Sequence, residues 1–124
     1  MLATIQFLDN LAETTIPFIF LTRAITGVAG TATFIFIEPT IISLTLNDDY
    51  FSLNLPIRKM VLSFENQNIE TKDIEIFFFK GKPLIIKSIF IFKNNFEWFN
   101  FLNFMKIYSA QTGLYFSSEI NNFL

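Results

Sequence analysis

Apolar positions in this chain recur mostly at every second residue between short polar clusters, a spacing that predicts a protein built mainly of strands. Thr4 to Leu8 alternates and reads as a short strand, broken by Asp9-Asn10. Phe18 to Arg23 and Thr31 to Glu38 read as a hairpin, joined by a turn that carries Gly27 and Gly30. Pro39 cannot donate to a ladder and closes the second strand. Ile41 to Leu46 continues in strand-like fashion, Asn47-Asp48-Asp49 marks a turn, and Tyr50 to Ile57 is an irregular loop ending near Pro56. Met60 to Phe64 is a strand, and Glu65 to Asn68 is its turn. Ile69 to Phe79 reads as one long strand, with Ile74, Ile76 and Phe78 on one face and Glu75, Phe77 and Phe79 on the other. Lys80-Gly81-Lys82-Pro83 turns the chain into Leu84 to Phe92, where Leu84, Ile86, Phe90 and Phe92 lie opposite Ile85, Ile89 and Ile91. Apolar residues on both sides predict a central strand covered on both faces.

The period then changes from two to 3.6. Asn94 with Glu97 three residues on resembles a capping box, with Asn in place of Ser or Thr. Trp98, Phe101, Leu102, Met105 and Tyr108 form one apolar stripe, while Asn100, Asn103, Lys106 and Ala110 lie opposite. Phe99 and Phe104 fall off the stripe. Gly113 is a natural C′ stop, so the helix is expected from about Asn95 to Thr112, roughly 28 Å long. Trp98, Phe101, Leu102, Met105 and Gly113 are its structural residues. The expected fold is α+β: a mostly antiparallel sheet of four to six strands with this long amphipathic helix packed on one face. A chain of 124 residues fits a single domain over residues 1–124.

Composition adds one surplus. Eighteen residues are Phe and 52% are hydrophobic, more than one small core needs, so some aromatic surface is expected where a partner covers it. Phe, Ile, Asn and Lys are abundant together while arginine occurs only as Arg23 and Arg58, a balance that AT-rich coding also produces. The apolar run from Ile16 to Ile37 is long enough to span a bilayer. Arg23 and both glycines fall inside it, and its Ile, Thr and Phe favour strands, so the membrane-helix reading is rejected. The first residues lack a basic n-region with a long apolar h-region, and they lack an Arg/Ser-rich transit composition.

Chemistry is thin. The chain contains no cysteine and no histidine, which removes disulfides, thiolate and imidazole metal sites, and Ser-His nucleophiles. The carboxylates show no metal-ligand spacing, and neither Gly27-Val28-Ala29-Gly30 nor Gly81-Lys82-Pro83 makes a phosphate-binding loop. A net charge of −2 supplies no basic track for nucleic acid. Catalysis, a metal and a cofactor are not expected. A carrier for a small apolar ligand, such as a pigment or lipid, is the alternative that the surplus phenylalanines allow.

Three separated blocks carry a family resemblance. Leu21-Thr22-Arg23, Gly27, Gly30-Thr31-Ala32, Phe34, Phe36, Glu38 and Pro39 form the first, and Phe79 with Gly81-Lys82-Pro83 the second. The third is Glu97-Trp98, Phe101, Phe104-Met105, Tyr108, Gly113-Leu114 and Phe116. In order and spacing, from about Ile5 to Ser117, they resemble the Psb28 family of photosystem II assembly proteins. Phe20, Lys59, Lys80, Phe99, Asn100 and Asn103 depart from the family pattern, with charge lost on the polar side of the helix.

The resemblance implies a cofactor-free, non-catalytic assembly factor, peripheral to the plastid thylakoid membrane on its stromal side, or on the cytosolic side in a cyanobacterium. Its implied partners are photosystem II core subunits, the larger inner-antenna chlorophyll protein and reaction-centre subunits near the acceptor-side quinone. Its implied mode is addition of partner backbone to a sheet edge, with no nucleic acid or small-molecule substrate. Thr22, Arg23, Gly27, Gly30, Thr31, Lys80, Gly81 and Lys82 are the candidate partner-binding residues. Arg23 is the only charge between Glu13 and Glu38, and its expected counterpart is a partner carboxylate or carbonyl.

Overall fold

Among the described residues, polar breaks in the chain separate ten elements. They are β1 (Thr4–Leu8), β2 (Leu11–Ala12), β3 (Phe18–Arg23), β4 (Gly30–Ile37), α1 (Thr40–Leu46), β5 (Met60–Phe64), β6 (Gln67–Thr71), β7 (Ile74–Phe79), β8 (Lys82–Phe92) and α2 (Asn95–Thr112). The structure, a computed structural model, describes residues 2–23, 30–46 and 57–114. The strands form two four-stranded antiparallel sheets, ordered β2-β1-β5-β6 and β3-β4-β8-β7. The fold is α+β with a long C-terminal helix, and its strands divide between two sheets where the sequence suggests one. The expected turn at 47–49, the loop after it and Gly27 lie outside the described residues.

Local chemistry explains the divisions. The apolar run from Ile69 to Phe79 is not one strand, because the chain changes sheets at Lys72-Asp73. Thr71 Oγ1 donates to the Ile89 carbonyl at 2.6 Å and accepts from Asp73 N at 3.1 Å, while Ile89 N donates to the Asp73 carbonyl at 3.0 Å. These bonds give the backbone an alternative to a continuous ladder. Two turns are shorter than their composition implies. Glu65-Asn66 and Lys80-Gly81 all have positive φ, which permits two-residue hairpins and places Gln67 and Lys82 already in strands. Pro83 therefore lies within β8, opposite Phe78, where the β7–β8 register shifts between Phe77 and Phe78.

Ile41 to Leu46 is helix, not strand. Its β-branched residues favour a strand locally, but a distant carboxylate supplies the N-terminal acceptors that a helix start needs. Glu13, nearly buried, accepts from Thr40 N at 2.7 Å and Thr15 N at 2.9 Å through Oε2, and from Ile41 N at 3.0 Å through Oε1. The Pro39 carbonyl accepts from Ile42 N and Ser43 N, at 3.0 and 3.2 Å, and completes the turn. Tertiary capping outweighs propensity here.

Both sheets turn an apolar face to one core, and α2 enters between them. On β4, Ala32, Phe34 and Phe36 are buried at every second position; Ile5 and Phe7 of β1 and Met60, Leu62 and Phe64 of β5 meet them from the other sheet. Phe7 touches Phe36 edge-on with centroids 5.0 Å apart. Phe101 stacks on Phe92 at 4.8 Å, and Phe104 meets Phe64 at 5.7 Å, so one helix reaches both sheets. That second contact explains why Phe104, off the predicted stripe, is buried: the apolar arc is wider than one sheet requires. Phe99 is exposed.

The helix ends are defined. Asn94 Oδ1 accepts from Glu97 N at 2.9 Å, and Glu97 Oε1 accepts from Lys93 N at 2.7 Å, one residue earlier than in the usual reciprocal box. Gly113 takes a left-handed φ of 77° and its N–H returns to the Ser109 carbonyl. Gln111 then clamps the start of β1, accepting from Ala3 N at 2.6 Å and donating to the Ala3 carbonyl at 2.8 Å.

Trp98→Ala should cost about 3–5 kcal/mol, and Gly30→Ala, whose added Cβ would lie 2.6 Å from the Trp98 ring, about 1–3 kcal/mol. Denaturant melts check both, and a loss under about 1 kcal/mol for Trp98→Ala would remove that residue from the core. Burial, with Glu13 nearby, pushes the Tyr108 hydroxyl from 10.0 up to about 12. The fold favours the neutral phenol, so this contribution is intact below about pH 10 and is lost as the pH rises toward 12. An absorbance titration should show a tyrosine ionising near pH 12, and Tyr108→Phe should remove that step.

Candidate partner-binding surface

The second sheet has two unlike faces. Its inner face, Ala32, Phe34, Phe36, Ile86, Phe90 and Phe92, is closed by α2 and the first sheet. Its outer face is also apolar, because β3, β4 and β8 carry β-branched and aromatic residues at both parities. In register across it run Phe20, Thr33 and Ile89; Ile37, Ile85 and Phe77; and Thr22, Thr31 and Ile91. Phe18, Phe20, Ile37, Phe77 and Ile91 are exposed there. The expectation that β8 is covered on both faces fails for this reason. It is central in hydrogen bonding but covered on one side, with Ile91 65% exposed. Glu75 and Lys87, adjacent in register, are the charged pair on this face.

The edges differ as much as the faces. Outermost strands present unpaired backbone groups, which folded proteins usually blunt with brevity, charge or a bulge. β2 is two residues long. β6 carries Glu70 beside the polar Gln67 and Asn68. β7 carries Glu75 and an irregular register between Phe77 and Phe78. In β3 the one charge is Arg23, its last residue, so Phe18 to Thr22 carry none of these devices. Its six residues pair with β4 in unbroken register from Phe18↔Ile35 to Arg23↔Gly30, and among the described residues its outer side has no ladder partner.

The sequence-derived candidates do not converge on one site. Thr22, Arg23, Gly30 and Thr31 sit together where β3 and β4 meet, paired Thr22↔Thr31 and Arg23↔Gly30. Lys80, Gly81 and Lys82 form the exposed turn of the β7–β8 hairpin. Gly30 pairs with Phe92 at the far end of the same β8 that Lys82 begins. Ten strand steps, at about 3.3 Å each, separate the groups by roughly 33 Å. Gly30 itself is buried against Trp98, so its lack of a side chain serves the core. Sequence reasoning missed the Glu13 cap and the open β3 edge, since neither leaves a local pattern.

Among the described residues no group of three or more His, Cys, Asp or Glu is placed to hold a metal ion, and no helix is long and apolar enough to cross a membrane. An open cleft of about 640 Å³ lies between β6 and β8, lined by Ile69, Ile89 and Ile91 together with Glu70, Lys72, Asp73, Lys93 and Glu97. Such a lining differs from the closed apolar pockets that hold drug-sized ligands.

Comparison with known proteins supplies a context. A sequence model of the family described as Psb28 protein matches residues 5–116. The chain is 37% identical over 117 residues to a protein of Thalassiosira pseudonana, covering 94% of this chain and 98% of that one. It is 38% identical over 116 residues to one of Crocosphaera subtropica, covering 94% and 98%. To one of Phaeodactylum tricornutum it is 39% identical over 117 residues, covering 94% and 97%. Each of these relatives is named photosystem II reaction center Psb28 protein.

Because the outer face contributes little to folding, Phe20→Ser should change unfolding free energy by less than about 0.5 kcal/mol while lowering binding of an apolar fluorescent dye. A loss comparable to that of Trp98→Ala would show that Phe20 is part of the core.

Proposed function

The chain belongs to the Psb28 family, and on that premise we propose that it is a non-catalytic assembly factor for photosystem II. In this reading it docks, peripheral to the thylakoid membrane, on the stromal face in a plastid or the cytosolic face in a cyanobacterium. Its partners are core subunits, the larger inner-antenna chlorophyll protein and reaction-centre subunits near the acceptor-side quinone. The names of its relatives support the photosystem II association.

The observation that carries the docking mode is the unprotected edge of β3. Main-chain bonds to an added strand give affinity without depending on side-chain identity, and neighbouring side chains give specificity. Phe18 and Phe20 stand exposed beside that edge, and Thr22 and Arg23 end it. An extended partner segment paired with β3 would lie against this apolar row, and Arg23, at the end of the strand, is the residue proposed to meet a partner carbonyl or carboxylate. The openness of that cleft, with charged residues in its lining, and the aromatic-filled core favour this reading over a carrier of pigment or lipid.

Proline removes a ladder donor and is tolerated only at edges or bulges. In a proline scan of Phe18 to Leu21, at least one variant should melt normally and lose copurification with photosystem II intermediates. Arg23→Ala should fold normally and weaken the association. Asn100→Lys and Asn103→Asp, on the polar side of α2, should do less. If the helix variants abolish association and no folded proline variant does, docking is through the helix and strand addition is wrong.

A further inference from the structure

The β7–β8 hairpin ends in a run of three phenylalanines, none of which is buried. Phe77, Phe78 and Phe79 are 44%, 49% and 59% exposed, although a regular strand would turn alternate residues to opposite faces. The register shift between Phe77 and Phe78 breaks the alternation, and Pro83 opposite Phe78 removes a ladder donor there. The turn that follows is Lys80-Gly81-Lys82, with Lys80 Nζ 5.4 Å from the Phe79 ring centroid. Ile37, also exposed, is aligned through Ile85 with Phe77 and extends the apolar surface onto β4.

Charge is ordered along this end of the sheet. Lys80 and Lys82 lead. Glu38, whose N–H donates to the Leu84 carbonyl at 2.8 Å, lies level with the second residue behind Lys82. The Glu75–Lys87 pair is farther back, since Lys87 is five residues beyond Lys82 on β8. In a chain of net charge −2, the tip is a local cationic end on an apolar wedge. Protein–protein interface cores are enriched in aromatic residues, Phe included, and in Arg, but are depleted in Lys, and it is the lysines that set this patch apart. Phenylalanines flanked by lysines are instead the composition of elements seated at a lipid–water boundary, with rings among the acyl chains and ammonium groups at the headgroups. We infer that the β7–β8 hairpin tip seats in the surface of a bilayer carrying anionic headgroups, through Phe77, Phe78, Phe79, Lys80 and Lys82. This contact is separate from the β3 edge, so vesicle binding and photosystem II copurification can succeed or fail independently.

The experiment is co-sedimentation of the full chain with phosphatidylcholine vesicles, with and without a minor fraction of phosphatidylglycerol. The chain should pellet with the anionic vesicles and much less with the neutral ones. Phe78→Ser combined with Phe79→Ser should weaken binding on the order of tenfold or more, and Lys80→Glu with Lys82→Glu should remove most of the anionic preference. Melting curves should match the parent chain for both variants. In a Phe78→Trp chain, the added fluorescence should shift blue on anionic vesicles and be quenched by lipids brominated along the acyl chain. No pelleting of the parent chain overturns the inference, as does pelleting that survives loss of both phenylalanines. Absent vesicle binding together with lost copurification in the phenylalanine variant would also overturn it, and assign the tip to a protein contact.

Discussion

The approach of the Trp98 ring to the backbone of β4 sets the position of nearly everything else in the core. A Cβ at Gly30 would sit 2.6 Å from two ring carbons, so only glycine lets the indole close over this strand. Gly30 pairs with Phe92, and Phe92 packs edge-on against Trp98 at 5.6 Å, so strand pairing and ring contact meet at one rung. The helix begins three residues later, capped by Asn94 and Glu97, which ties its first turn to the end of β8. With the start and one ring fixed, the helical period dictates the remaining contacts. Phe101 falls on Phe92 and Phe34, and Phe104 and Tyr108 turn toward the other sheet. The conformational entropy that a strand glycine costs is offset by burial of the largest side chain in the protein.

What the chain reveals without a structure follows from how local each cause is. The β3–β4 hairpin, β5 and α2 have period, caps and turns within their own residues, and their positions are legible from them. α1 is not, because the group that stabilises its start is Glu13, 27 and 28 residues away from the amides it accepts. The break in the run from Ile69 to Phe79 depends on a Thr71 bond to Ile89, which no window of neighbouring residues contains. The same limit applies to function. The family blocks mark Thr22, Arg23, Gly30 and Thr31 at one end of the sheet and Lys80, Gly81 and Lys82 at the other, and only strand register shows that they are far apart. Gly30 illustrates a second limit: motif glycines do not announce whether they face a partner or a tryptophan.

Burial explains why the outer sheet face is apolar without being core. A sheet needs one face buried to be stable, and α2 with the first sheet provides that on the side of Phe34 and Phe90. Nothing in folding then requires Phe18, Phe20 or Ile91 on the other side, and such residues raise the risk of self-association. Among the described residues, three of the four sheet edges are protected by brevity, charge or an irregular register, and β3 is regular. An apolar face next to an unprotected edge is a combination that natural sheets usually avoid.

The departures of this chain from its family pattern bear on that combination. Phe99, Asn100 and Asn103 carry no charge on the helix, so a docking mode built on helix-face ion pairs at these positions is not open to this chain. Surface ion pairs contribute little individually, and their loss is tolerable if they were never the main source of affinity. Backbone pairing at β3 is indifferent to those changes, because ladder bonds come from amides every residue but proline carries. The one proline near the edge, Pro17, precedes β3 and leaves its six residues free to pair. A chain rich in Phe, Ile and Asn can be poor in surface charge and still offer the edge pairing proposed for β3, provided that β3 stays regular and Trp98 keeps its place over Gly30.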